Sequence, residues 1–341
     1  MILSNKTKVM DKNQKVIAEI EPGKRVCIET INAFGDTLSN VSELDAVLHN
    51  KDIHHHPLTG PILVKGAKAG NYLKVQIHKI TCLDPIQSLS KSAGVEPKDT
   101  TTFGDRAPAK AKIRKDSLDF MGFELPLRPM LGIIGTAPHT GFIKAGHAKR
   151  TGGNLDIPFV CEGASVYLPV DVDGAFLYLG DAHALQGYGE LNGIALETSA
   201  HVELTVDIIK PNKRWYEMDH NSEKNHLSGR PIIIAGKEPV FGVDGICIVG
   251  VSENFGDINT AISHANRDAS MILPLLNCRL NPLNARNIIT LIGNVLPGQA
   301  ASKTAESIAM VFFKFDDIKK IANDEISTNE GIMQMLFIEE H

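Results

Sequence analysis

The segment HVELTVDII, residues 201–209, limits the possible folds more than any other part of the chain. Val202, Leu204, Val206 and Ile208 fall on one side of an extended strand. His201, Glu203, Thr205 and Asp207 fall on the other. Side chains alternate across a strand, so this pattern specifies a sheet with one face buried. Less regular versions recur in KRVCIETINAF (24–34), ASVYLPV (164–170), GAFLYLG (174–180), IALE (194–197), RPIIIAG (230–236), GICIVG (245–250) and SIAMVFFKF (307–315). GPILVKG (60–66) and NYLKVQIHKITCL (71–83) flank the short turn AKAG and read as a hairpin.

Helical spacing comes late. DINTAISHANRDASMILPLL (257–276) repeats apolar residues near 3.6, with Asp257 as N-cap and Pro274 ending or kinking the helix. NPLNARNIITLIGNV (281–295) follows, with Asn281 as N-cap and Pro282 at the first helical position. Many strands first and helices last specify a mainly β protein, α+β overall. The expectation is a β-sandwich or barrel-like core with a smaller α+β C-terminal part. Residues 1–210 form the β-rich domain that carries most site residues. Residues 211–341 form the part with two helices and a late strand. Residues 84–135, polar and rich in Gly and Pro at SLSKSAGVEPKDTTTFGDRAPAKAK, read as a long excursion.

With 341 residues, 43% of them hydrophobic and 22% charged, the composition is that of a globular protein with a sizeable core. A formal charge of −5 gives no reason to expect nucleic acid or an anionic membrane as partner. The densest basic run, KAKIRK (110–115), reads as a solvated surface. MILSNKTKVMDKNQK lacks the apolar core of a secretory signal, and no stretch is apolar for long enough to span a bilayer. Cys27, Cys82, Cys161, Cys247 and Cys278 are spread singly, so the expected setting is reducing and cytoplasmic.

Four clusters hold the unusual polar groups. In HHHPLTGP (54–61), His54 and His56 point the same way on a strand. In TGGNLD, two glycines precede Asn154 and Asp156, which fit either an Asx turn or a pair facing a ligand. ETINAFGD ends on Asp36. The richest is LGDAHALQGYGELNGIALE (179–197), where Asp181 and His183 stand at i, i+2 and Glu190 and Glu197 follow. A carboxylate and an imidazole at that spacing can hold a divalent ion. Glu197 shares parity with residues 201, 203, 205 and 207, so it could instead join the polar face of that strand. A bulge near Thr198–Ser199 would break the parity. The chemistry such a set supports is metal-assisted hydrolysis, with a nearby Glu moving the proton. No GxSxG, P-loop or GxGxxG occurs.

Taken in order, ETINAFGD, HPLTGPILVKGAKAGNYLKVQI, GGNLDI with GASVYLPVDVDGAFLYLGDAHALQGYGELNGIALE, and the late helix pair resemble the blocks of the acetamidase/formamidase family. The resemblance covers roughly residues 25–315 and is poor over 84–135. It implies a β-rich fold and a metal-dependent amidohydrolase that cleaves formamide, acetamide or a similar small linear amide to the carboxylate and ammonia. It also implies a homo-oligomer, taken as a dimer. Placed on matching positions, Asp181 and His183 are assigned to the metal, zinc foremost and calcium as the alternative. Glu190 and Glu197 are assigned to acid–base work, and His56, Asn154, Asp156 and Asp36 to the substrate or to support of the ligands. Tyr188 departs from the family's QGDGE, and MILPLL lacks an expected acidic residue. Two other readings stand beside this one: hydrolysis of a lactam or another small C–N substrate, and a β-sandwich binding module with a structural calcium ion.

Overall fold

The structure is a computed structural model. It describes residues 1–35, 56–83, 86–87, 109–190, 193–212, 214, 231–239, 242–254, 257–298, 307–322 and 326–338. Two sheets stack face to face, and helices cover the outer face of one of them. The first sheet has eleven strands among the described residues. Its centre is Leu177–His183, flanked by Met130–Thr136 on one side and by Leu58–Val64 and Glu197–Thr198 on the other. The second has nine, and Tyr72–Cys82 pairs there with Ser165–Pro169 and Ala200–Pro211. That sheet takes strands from before and after residue 210, among them Ile232–Lys237, Asp244–Ser252 and Ser307–Lys314.

The core between the sheets follows from the alternation. Val202, Leu204 and Val206 point into it from one sheet, and Leu131, Ile134, Leu177 and Leu179 from the other. Each such side chain contributes about 1.5–3 kcal/mol by leaving water. The late strands are apolar on both faces because both faces are covered. Ile234, Cys247 and Met310 face the first sheet. Ile233, Ile248, Val311 and Phe313 face the helix Ile258–Leu276 through Ala265, Ala269 and Ile272. Gly250 permits that close approach, since a Cβ there would lie 2.1 Å from the carbonyl oxygen of Ala261. Asp257 caps the helix by accepting from the Thr260 amide at 3.0 Å. The helix runs past Pro274, and the Asn277 amide closes the last turn on Leu273 O at 3.2 Å. Asn281 caps the second helix, Pro282–Ile292, through a capping box with Asn284.

Three expectations need correction. The hairpin across AKAG does not form. The turn exists, with Ala67 N donating to Val64 O at 3.2 Å, but it carries the chain from one sheet to the other. Ile62 and Val64 then meet Leu73 and Val75 across the core, which buries both apolar faces where edge pairing would not. IALE supplies only Glu197–Thr198 as strand. The excursion at 84–135 is only partly irregular. Ala109–Ile113, Ser117–Phe120 and Phe123–Pro126 form a meander, and Met130–Thr136 is a fully buried strand beside Leu177–His183. Residues 88–108 of that stretch lie outside the described residues, as does residue 36. Among the described residues, no helix is long and apolar enough to cross a membrane.

Candidate active site

The Leu177–His183 strand is buried along its whole length and ends on Asp181 and His183, each about 1% exposed. Burying two ionisable groups at the end of a core strand is unfavourable unless they have partners. Their partners arrive from three other segments. Glu197 sits directly opposite His183 in register, and its Oε2 lies 3.2 Å from His183 Nε2. Asp181 Oδ1 lies 3.5 Å from the same nitrogen and 3.0 Å from His56 Nδ1. Asp156 presses on Gly132 from the other side: a Cβ on Gly132 would meet Asp156 Oδ1 at 2.5 Å and Asp181 Oδ2 at 2.8 Å. Glu190 completes the group. Ligand atoms of Asp156, His183 and Glu190 lie within 4.8 Å of one another, as do those of Asp181, His183 and Glu197.

The backbone is bent to bring them there. His56, Asp156, Asp181 and Glu190 have φ of 62°, 48°, 55° and 43°, four of the eight non-glycine residues in the left-handed region among the described residues. Side chains rarely adopt that region, and such strain clusters at functional sites. The doubt about Glu197 is settled by geometry. The strand breaks at Ser199, so Glu197 leaves the parity of Ala200–Pro211 and turns inward, about 2% exposed. ETINAFGD fixes that break. Asn32 Nδ2 donates to Glu197 O at 2.9 Å, and Ser199 Oγ accepts from the Asn32 amide at 2.8 Å. The same segment holds His56, whose amide donates to Ala33 O at 2.7 Å.

His183 is oriented by Gln186. His183 Nδ1 is 2.6 Å from Gln186 Oε1, and Gln186 Nε2 donates to Asp156 O at 2.7 Å. With Nδ1 donating to Gln186, Nε2 faces the carboxylates. Gln186 and Gly132 had no assigned role in the sequence reading. A glycine inside the run MLGIIGT is the signal for Gly132, because strand glycines mark close approaches. Asn154 is buried two residues before Asp156, with an Oδ1 that has no hydrogen-bond partner. Asp36 and His54 fall outside the described residues.

The electrostatics are those of crowded carboxylates. Burial pushes Glu190 up to about 7, against His183 and with help from Glu197 and Asp181. Burial also raises Asp156 well above the usual range, with Glu190 and Asp181 adding to it. Glu197 is raised by burial, against the pull of His183. Burial opposes ionisation of Asp181, yet His56 and His183 outweigh it and hold that carboxyl below its ordinary range. Burial disfavours charge on His56 and His183, but nearby carboxylates prevail, Asp181 for His56 and Glu197 with Asp181 for His183. They lift His56 to about 9 and His183 well above its usual value. Burial pushes the neighbouring Cys82 thiol up to about 12, which disfavours its thiolate form.

The donor set can be tested against a cation. Asp156 Oδ1 and Oδ2, Asp181 Oδ1, His183 Nε2 and Glu197 Oε2 are all buried without a hydrogen-bond partner. Carboxylates crowded around one buried imidazole without well-formed hydrogen bonds are unfavourable, and a divalent ion would satisfy them together. The residues therefore fit such an ion. The structure puts Tyr188 to another use: its hydroxyl donates to Glu238 Oε1 at 2.6 Å and its ring packs on the inter-sheet core.

Over 126 residues the chain is 32% identical to an acetamidase of Mycolicibacterium smegmatis, covering 36% of this chain and 26% of that protein. It is 24% identical over 257 residues to a formamidase of Methylophilus methylotrophus, covering 59% of this chain and 63% of that protein. The chain thus matches less than two thirds of either relative's length. The crystal structure of an acetamidase from Bacillus halodurans superposes with a TM-score of 0.75 at 25% identity, over 94% of this chain and 99% of that one. A sequence model of the Acetamidase/Formamidase family matches residues 11–149, which include His56 and Gly132, and 144–274, which include Asp156, Asp181, His183, Glu190 and Glu197. The chain belongs to the acetamidase/formamidase family.

Proposed function

We propose that this protein is a metal-dependent amidohydrolase that cleaves a small linear amide, of the formamide or acetamide type, to a carboxylate and ammonia. One observation carries the reading: the buried carboxylates of Asp181 and Glu197 converge on the His183 imidazole, with Glu190 beside them near neutrality. Asp181, His183 and Glu197 would hold the ion. A mixed imidazole and carboxylate set favours zinc over calcium, which takes oxygen ligands. When bound, the ion would polarise the amide carbonyl and make water a better nucleophile.

The remaining work belongs to the chain. Glu190, at about 7, can take a proton near neutral pH and return it to the departing nitrogen. His56 stabilises the Asp181 carboxylate at 3.0 Å. Gln186 locks the His183 ring, and Asn32 locks the turn that carries Glu197. A cytoplasmic homo-oligomer belongs to the same proposal. Its supports are five free cysteines and the exposed Leu283, Leu291 and Val295 around the Pro282–Ile292 helix. Light scattering on the purified protein tests the oligomer.

The deciding experiment measures ammonia release from formamide and acetamide together with metal content. Turnover that is lost on chelation is expected, as is about a 10²–10⁴-fold loss of kcat in Glu190→Gln with metal retained. A metal-replete protein that releases no ammonia from small linear amides overturns the substrate. Metal retained by a folded His183→Ala overturns the ligand assignment.

A further inference from the structure

Next to the carboxylates lies a cavity of about 350 Å³ that formamide does not explain. Glu190 and Gln186 stand in its wall. The rest is apolar: Phe120 and Leu125 come from the 109–126 meander, and Leu185, Ile194 and Leu196 from the loop between the two site strands. Leu118 and Leu196 anchor a separate small core there, with Phe120, Leu125 and Leu185 packed against it. The meander is thus fixed over the site by its own packing. Tyr188, standing where the family carries a carboxylate, also lines the cavity, and its hydroxyl is drawn away to Glu238. A water's share of liquid volume is about 30 Å³, so an amide of three or four heavy atoms would leave most of this space unfilled. Pockets of this size and character hold larger apolar groups.

We infer that the cavity is the specificity pocket of the site and receives an apolar substituent of about four or more carbons on the amide. The inference rests on the amidohydrolase reading for its chemistry and on the cavity for its choice of substrate. Glu190 at the mouth would face the scissile bond, and the substituent would lie against Phe120, Leu125 and Leu196. Each buried methylene is worth about fourfold in binding.

The test compares formamide, acetamide, butyramide and hexanamide with N-butylacetamide, using the metal-replete full chain. An increase in kcat/KM of at least about tenfold from acetamide to hexanamide, or to N-butylacetamide, is expected. The arm that rises shows whether the acyl or the amine side enters the cavity. Leu125→Trp, which fills the cavity, should erase the gain, bringing the hexanamide-to-acetamide ratio of kcat/KM back to about one. Phe120→Ala, which widens it, should shift the optimum to longer chains. Acetamide turned over with a kcat/KM that stays flat or falls along both arms overturns the pocket while leaving amide hydrolysis standing. If no amide is turned over, calorimetric titration with hexanamide still reads the cavity. Binding at least tenfold tighter than acetamide, and lost in Leu125→Trp, keeps the pocket while amide hydrolysis falls. Equal or absent binding overturns both.

Discussion

Gly132→Ala isolates the geometry of the site without removing any of its charges. The new Cβ would stand 2.5 Å from Asp156 Oδ1, 2.8 Å from Asp181 Oδ2 and 3.0 Å from Asp181 O. Ordinary carbon–oxygen contact begins near 3.4 Å. Asp156 must therefore retreat by about 0.9 Å and Asp181 by about 0.6 Å, or the strand must shift. Neither carboxylate has room to rotate away, because both sit at positive φ and are about 1% exposed. Overpacking of this kind destabilises by about 1–3 kcal/mol. For 341 residues that lowers Tm by only about 1–4 °C, so the protein should still fold. Activity is far more sensitive, since a misplacement near 1 Å costs about 10²-fold. Gly135→Ala is the control. Its Cβ would meet the Gly153 amide at 2.8 Å and the Thr151 carbonyl at 3.1 Å, with no site carboxylate among its three nearest atoms. Circular dichroism melts, metal content and ammonia release should separate the two variants. Both variants should lose only a few degrees of Tm; Gly132→Ala should lose turnover and metal affinity, and Gly135→Ala should keep its metal affinity. Gly132→Ala with turnover and metal affinity within twofold of the native protein would refute the packed-carboxylate geometry.

Other perturbations read other parts of the structure. Glu190 is held near 7 in the folded chain against 4.5 as a free side chain, so the folded state binds its proton more tightly. That stability is fully present below about 4.5 and is lost as pH rises through about 7, amounting to roughly 3 kcal/mol. Urea melts of chelated protein between pH 4.5 and 8 should show the fall, and Glu190→Gln should flatten it; identical pH profiles would sink the assignment. Tyr188→Phe takes one donor from the buried Glu238 carboxylate, so it should destabilise by about 1–3 kcal/mol, read from denaturant midpoints. Gly250→Ala drives a Cβ to 2.1 Å from Ala261 O and 2.5 Å from Ala265 N. It should destabilise by about 1–3 kcal/mol or more and loosen the Ile258–Leu276 helix, with slowed or absent loss of helix amides to hydrogen exchange counting against it.

The sheet architecture was legible where one face is wet and one dry, as in the segment 201–209. It was less legible where both faces are covered. Met130–Thr136 was hidden inside a polar stretch, because a buried run of seven residues has no alternation to reveal it. The AKAG turn misled for a related reason. A short connection predicts adjacency, but it cannot say whether two strands meet edge to edge or face to face, and core burial chose the second. At the site, Asp181, His183, Glu190 and Asp156 came from residue chemistry and family resemblance. The sequence argument put Asp181 and His183 on one face of an extended strand, and the two side chains do lie 3.5 Å apart, but by a different geometry. Asp181 is not extended, and its carboxylate converges on His183 because φ is +55°. Glu197 shows the limit most clearly. Its parity placed it on a solvated face, and the one residue that reverses this, Ser199, is held by Asn32 from 167 residues away in sequence. Local pattern carries no trace of such a partner. The same strain that hid the site from periodicity brings the partnerless acceptors together, so a chain folded for stability alone would have relaxed it.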